Sequence, residues 1–354
     1  MAKRGQRGSA KGTADTDRFV VADGHSDIVV DILRRRQRGE RAVFQRLHAT
    51  QLSDAGVRML MLATGGDGPT QNVGKGDPFW CTMMRIQALL EDFEESAASA
   101  RICKSMAEVD ETLAEGRLAG MLMIEGAAPL GGSLESLDLY HRLGIRSVQL
   151  TWNARNLVGD GCAESATGGG LTAFGRAVVG EMNRRRLLVD LSHASEATFY
   201  AAAESATAPF IVSHANARAV CDHRRNLTDQ QLKLLAERGG VIGLCFFPWF
   251  IDPVRPSLER LLDHFDHIAG LIGPRHVSIG ADYIYYAPEV FAIELSASDR
   301  AGIYAKGFDV PSDLRDPTGF RQLADGMSAR GYSDDDIAGV MSGNLLRVYR
   351  ETIG

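Results

Sequence analysis

Short apolar runs that each end on a metal-competent side chain constrain this chain more than any other feature. They are VVADGHSD with His25 and Asp27, GMLMIEG with Glu125, LLVDLSH with His193, and FIVSH with His214. A strand buried on both faces reads as a continuous apolar and β-branched run, whereas a half-buried strand alternates. A polar residue closing such a run points at the rim of a sheet, not into its core. Asp282, at the end of VSIGAD, is a sixth candidate. Several strands that each deliver one rim residue suit a single metal site at the carboxyl ends of a parallel barrel.

Eight strands are expected, at Arg18–Ala22, Val57–Ala63, Gly120–Glu125, Ser147–Thr151, Leu187–Leu191, Phe210–Ser213, Val241–Phe246 and Val277–Ala281. Helix-like segments separate most of them, among them Pro78–Ser99, Leu134–Leu143, Leu171–Arg186, Glu196–Ser205, Thr228–Arg238 and Ser257–Ile272. Thr228 and Ser257 each precede an acidic first turn and read as N-caps. Strand–helix alternation repeated eight times points to an α/β fold of the (β/α)8 TIM type. An open doubly wound sheet would want a Gly-rich phosphate loop after the first strand, and GHSD is not one. The expected organisation is a disordered leader at 1–17 and a single barrel domain at 18–354. Gly66–Gly76 and Cys162–Gly170 read as loops over the rim. Tyr283–Arg315 reads as an insertion serving as lid or oligomer contact. Asp313–Tyr349 reads as two helices, the last beginning near Asp335.

Composition narrows the function. A net charge of −6 without a basic-aromatic patch argues against nucleic acid as partner. No stretch approaches the ~20 apolar residues of a membrane span, and MAKRGQRGSAKG lacks the apolar core of a secretory signal. The five cysteines are odd in number and scattered without a CxxC, so reduced thiols in a cytoplasmic protein are expected. Cys245, inside VIGLCFF, reads as a core thiol.

Residues i and i+2 of an extended segment share a side, so His25 and Asp27 can reach one ion; alternatively they cap the next helix. Imidazole and carboxylate suit Zn²⁺ and related ions. Glu125 either meets a cation or pairs with an arginine such as Arg155, since a lone buried carboxylate is costly. His193 and His214 close consecutive strands. Five ligands from four strands favour a dinuclear site with Glu125 between the other two sets.

Longer segments carry a resemblance. DGHSDI, EG at 125–126, GIRSVQLTWNARN, GLTAFGRAVVGEMNRRRLLVDLSHAS, PFIVSHANARAVCDHRRNLTD, IGAD and GNLLRV, in that order, cover almost the whole chain from residue 20. With them the chain resembles the membrane (renal) dipeptidase family of zinc peptidases, in the amidohydrolase superfamily. The resemblance implies a metallo-dependent hydrolase barrel with two Zn²⁺, His25 and Asp27 on one, His193 and His214 on the other, and Glu125 bridging. It implies hydroxide between the ions as nucleophile and Asp282 as acid/base. It implies Arg225, rather than its neighbour Arg224, as the substrate-binding arginine, a dipeptide substrate with a D-residue tolerated at the C-terminal side, and a homodimer.

Two positions depart from the family pattern. Trp152 stands where the family often has a substrate-contacting His, and indole carries neither charge nor a transferable proton; Asn153 is the adjacent candidate for that role. After Asp282 the family often has Phe-Asp-Gly, and this chain has Tyr283-Ile284-Tyr285. Hydrolysis of N-acyl amino acids or lactams is the alternative activity, and a non-catalytic metal-binding protein is a third.

Overall fold

In the computed structural model the described residues are 19–68, 76–283 and 310–354. The expected leader, most of the Gly66–Gly76 loop and most of the 283–315 insertion lie outside them. Nine parallel strands form one sheet: β1 Val21–Ser26, β2 Val57–Gly66, β3 Ala100–Ile102, β4 Leu118–Glu125, β5 Ile145–Gln149, β6 Leu188–Asp190, β7 Ile211–Ala215, β8 Val241–Leu244 and β9 Val277–Ile279. β1 pairs with both β2 and β9, and β2 also pairs with β4, so eight strands close into a ring. β3 lies outside the ring and pairs only with Leu118–Gly120, below the point where β5 joins β4.

Seven expected strands overlap observed ones closely, with ends moved by a few residues. The first is the exception. It begins at Val21 and runs on through Ser26, because Asp23 pairs with both β2 and β9 and, after a shift in register, Ser26 pairs with Leu62 of β2. His25 therefore lies within its strand, as His214 lies within β7. Sequence patterning missed β3, which has only three residues, and the helices Ile28–Gln37 and Met106–Ala114.

Short polar residues start the helices by capping free N–H groups. Asp77 accepts from Phe79 N and Trp80 N ahead of Pro78. Thr228 and Gln231 form a reciprocal capping box, and Ser257 accepts from Arg260 N. The chain ends in helices Gly319–Ala329 and Asp334–Ala338, the latter passing through a π-turn at Gly339–Gly343 into Asn344–Ile353.

The core has two parts. Helices pack on the outside of the ring around residues such as Phe93, Phe199, Phe210 and Phe265. Inside the ring, Met59, Met61, Met121 and Met123 pack with Ala22, Leu188, Ile211 and Val241. Leu345, Val348 and Tyr349 of the C-terminal helix join this inner cluster and plug the amino-terminal mouth of the barrel. The carboxyl-terminal mouth is left for the polar residues.

Candidate metal centre

The carboxyl ends of β1, β4, β6, β7 and β9 bring six side chains to a common point, two of them, His25 and Asp27, from β1. Glu125 Oε1 lies 3.7 Å from His25 Nε2, 3.3 Å from His193 Nε2 and 3.8 Å from His214 Nε2. His25 Nε2 is also 3.7 Å from Asp27 Oδ2 and 3.9 Å from Asp282 Oδ1. All five sequence-derived ligands and Asp282 are thus brought together, and Glu125 stands between the two pairs. Arg155, the alternative partner for Glu125, bonds to Asp160 instead. Asp27 occupies the cap position of helix Ile28–Gln37 without a side-chain cap bond, so its carboxylate remains with His25.

Electrostatics mark the point as a place for cations. His25 is fully buried, and among the described residues neither ring nitrogen has a hydrogen-bond partner. Burial alone would lower its pKa, but Glu125, Asp27 and Asp282 outweigh burial and push it up to about 10. Burial raises Asp282 to about 7, with Asp27 adding to the rise and His25 and Arg225 opposing it. His193 and His214 are held neutral by burial and by neighbouring cations, Arg225 and His25. Their Nε2 atoms are 2.9 Å apart, so two nitrogens converge on one small space beside a carboxylate oxygen. Two clusters, His25–Glu125–His214 and His25–Asp27–Asp282, have donor atoms within 4.8 Å of one another. An orphaned buried imidazole, converging nitrogens and a surplus of carboxylate fit divalent ions of the Zn²⁺ type.

The backbone is strained to make this geometry. His193 and Asp282 have φ of 63° and 57°, a region that costs a non-glycine residue ~1–3 kcal/mol. β7 shifts register against β8 between Val212 and Ala215. The shift turns the Ser213 carbonyl inward, to where a Cβ on Gly243 or Gly280 would meet it at 1.9 or 1.6 Å. Only glycine fits at those two positions.

Supporting residues lie behind the ligands. His214 Nδ1 is 2.9 Å from Ser213 Oγ, and Asp190 Oδ1 accepts from Ser192 N and Ser213 N. Asp23 Oδ1 accepts from Ala281 N and His25 N, joining first and last strands. Asp67 accepts from Ala128 N, Trp152 N and Asn156 Nδ2, which clamps the loops after β4 and β5 together. Sequence reasoning passed over Asp23, Asp67 and Asp190. Asp23 and Asp190 were detectable as acidic residues inside apolar runs; Asp67, in a Gly-rich loop, gave no signal.

Arg225 is buried. Its Nη2 donates to His214 O at 3.0 Å, its Cζ lies 5.1 Å over the Phe250 ring, and its Nε has no partner among the described residues. Arg224 is exposed. Trp152 is half-buried and stacks on His193 with ring centroids 5.8 Å apart. The Asn153 side chain does not face the rim. Its Oδ1 lies 2.6 Å from His193 Nδ1, and the residue is 1% exposed.

A model of the membrane dipeptidase family, peptidase family M19, matches residues 14–292. The chain belongs to this family. It is 37% identical over 237 residues to dipeptidase aclJ of Aspergillus oryzae, covering 66% of this chain and 51% of that one. To human dipeptidase 3 it is 30% identical, covering 94% of this chain and 65% of that one. It therefore spans about half to two thirds of these relatives' lengths. It also matches the crystal structure of a metallo peptidase from Rhodobacter sphaeroides liganded with a phosphinate mimic of the dipeptide L-Ala-D-Ala. There the TM-score is 0.80 at 27% identity, covering 95% of this chain and 100% of that one. Among the described residues no helix is long and apolar enough to cross a membrane.

Proposed function

We propose that this chain is a dinuclear zinc dipeptidase. The observation that carries the proposal is Glu125 Oε1 standing 3.3–3.8 Å from three imidazole nitrogens, with Asp27 and Asp282 converging on the same His25 nitrogen. His25 and Asp27 would hold one ion, His193 and His214 the other, and Glu125 both. Two such ions would polarise a scissile carbonyl and bring the pKa of water to near neutrality.

The chain's own groups supply the rest. Asp282 faces His25 across 3.9 Å, where it can take a proton from attacking water and return it to the leaving amine. The Arg225 guanidinium keeps Nε unpaired beside the histidines, a donor for a substrate carboxylate or a developing oxyanion. Trp152 covers one face of His193 and narrows the rim with an apolar wall. The family relatives and the dipeptide mimic bound to the Rhodobacter protein support a dipeptide substrate, including one with a C-terminal D-residue. A homodimer in a reducing, cytoplasmic setting belongs to the same proposal.

Elemental analysis should find two zinc ions per chain, and a panel of L,L- and L,D-dipeptides should be hydrolysed only by the metal-loaded protein. One ion or none per chain would sink the dinuclear assignment. Hydrolysis of N-acyl amino acids or lactams but of no dipeptide would favour the alternative that Trp152 invites.

A further inference from the structure

We propose that Asn153 and Cys162 form a relay that fixes the tautomer of His193, and so decides which of its nitrogens can meet an ion. The relay rests on the metal centre proposed above. An amide has unlike ends: its oxygen accepts and its nitrogen donates. Asn153 Oδ1 lies 2.6 Å from His193 Nδ1. With oxygen facing the ring, Nδ1 carries the proton and Nε2 keeps its lone pair free for an ion held between it and Glu125 Oε1, 3.3 Å away. With nitrogen facing the ring, Nε2 would carry the proton and could not ligate.

The choice is made from behind. Cys162 Sγ donates to the same Asn153 Oδ1 at 3.2 Å. The thiol is buried and is a weak S–H donor, and this oxygen is the acceptor it meets. Flipping the amide would set S–H against N–H and leave the thiol's donor unpaired. Two donors thus converge on one oxygen, and only one orientation serves both. Asn153 Nδ2 has no partner among the described residues, so within them the side chain is held by its oxygen.

The main chain locks the three residues into one unit. Cys162 N donates to His193 O at 2.7 Å, and Ala163 N donates to Asn153 O at 2.8 Å. Gly161 permits this approach, since a Cβ there would sit 2.1 Å from Trp152 O. His214 is oriented separately, through Ser213 Oγ at 2.9 Å. His193 Nε2 also lies 2.9 Å from His214 Nε2, so in the metal-free protein a His193 ring protonated at Nδ1 makes His214 the donor between them. Outer-shell partners of this kind are worth about 10–100-fold in metal affinity.

The test uses full-length, ¹⁵N-histidine-labelled protein without metal, with the His193 ring shifts assigned by His193→Gln. Wild type should show the Nδ1–H tautomer. Asn153→Leu should lose that preference, Cys162→Ala should weaken it, and Cys162→Ser, which keeps a donor, should restore it. In parallel, Zn²⁺ titration against a chelator should find one of two affinities lowered about 10–100-fold in Asn153→Leu and the other unchanged. Cys162→Ala, the milder change, carries the test if Asn153→Leu does not fold. An Nε2–H tautomer in wild type, or variants with unchanged tautomer and unchanged affinities, would overturn the relay. An Asn153-dependent Nδ1–H tautomer in a protein that binds no zinc would support the relay and overturn the metal centre.

Discussion

A buried imidazole ringed by carboxylates can be satisfied in two ways, by keeping its proton or by ceding it to an ion. Among the described residues neither His25 nitrogen meets a hydrogen-bond partner, which leaves it these two. Asp282 completes that ring from the last strand, and its removal separates ligation from proton transfer. Asp282→Asn should retain both ions and lose on the order of 10²–10⁴ in kcat, read by elemental analysis alongside steady-state kinetics. Retained metal with near-normal turnover would take Asp282 out of the mechanism. Arg225 should behave differently. Its guanidinium holds the His214 carbonyl as well as facing the site, so Arg225→Met should cost about 2–4 kcal/mol in kcat/KM for dipeptides. Zinc affinity, measured on the same protein, should fall modestly in addition. Unchanged kcat/KM would place substrate-carboxylate binding elsewhere. The six converging residues were legible because each interrupts an apolar run that packing alone would continue. The amide of Asn153 was not, because its partner His193 lies 40 positions away and the departure at Trp152 drew attention to substrate instead. The clamp by Asp67 was equally hidden, since its partners are 61 to 89 positions distant.

At the level of elements, the segment after β7 carries Arg225 and is pinned by one neutral histidine. His264, on helix Leu258–Ile272, accepts from Ala217 N at Nδ1 and donates to Ile251 O from Nε2. Both nitrogens are committed, and burial lowers its pKa from 6.5 to about 4. The unfolded chain therefore takes up a proton here at higher pH than the folded one. The stability from this group is fully present above about 6.5, is lost as pH falls from there, and levels off below about 4. At about 1.4 kcal/mol per pKa unit the loss approaches ~3 kcal/mol. Thermal unfolding followed across that range should show it, and His264→Gln, which keeps an acceptor and a donor, should flatten that part of the curve. An equally steep fall in the variant would assign the effect to other groups. Strand positions were legible from apolar runs, and helix starts from their Thr and Ser caps. Strand ends were not, because parallel pairing extends through polar residues such as Asp23 and Ser26 when neighbouring strands offer partners. β3 has too few residues to show a period.

The whole molecule separates stability from chemistry. The two apolar clusters and the C-terminal plug sit below and around the ligands, not among them. Removing the metal should therefore leave the barrel folded, with an unchanged far-ultraviolet circular dichroism spectrum. The melting temperature should drop by several degrees and return on adding Zn²⁺, as expected for ligands that bind only the native state. Loss of secondary structure on chelation would show that the ions hold the fold together. The closed ring was legible from the eight repeats, while the outlying β3 and the plug followed from tertiary packing that no local pattern records. Ring closure also sets an order of events. Asp23 bonds to Ala281 across 258 positions of chain, and His25 meets Asp282 only through that closure. Contacts so distant in sequence form slowly, after local helices and hairpin-scale pairings. The competent centre is thus absent from any chain not yet extended past Asp282, and a barrel whose last strand has not docked cannot hold these six residues in their finished geometry.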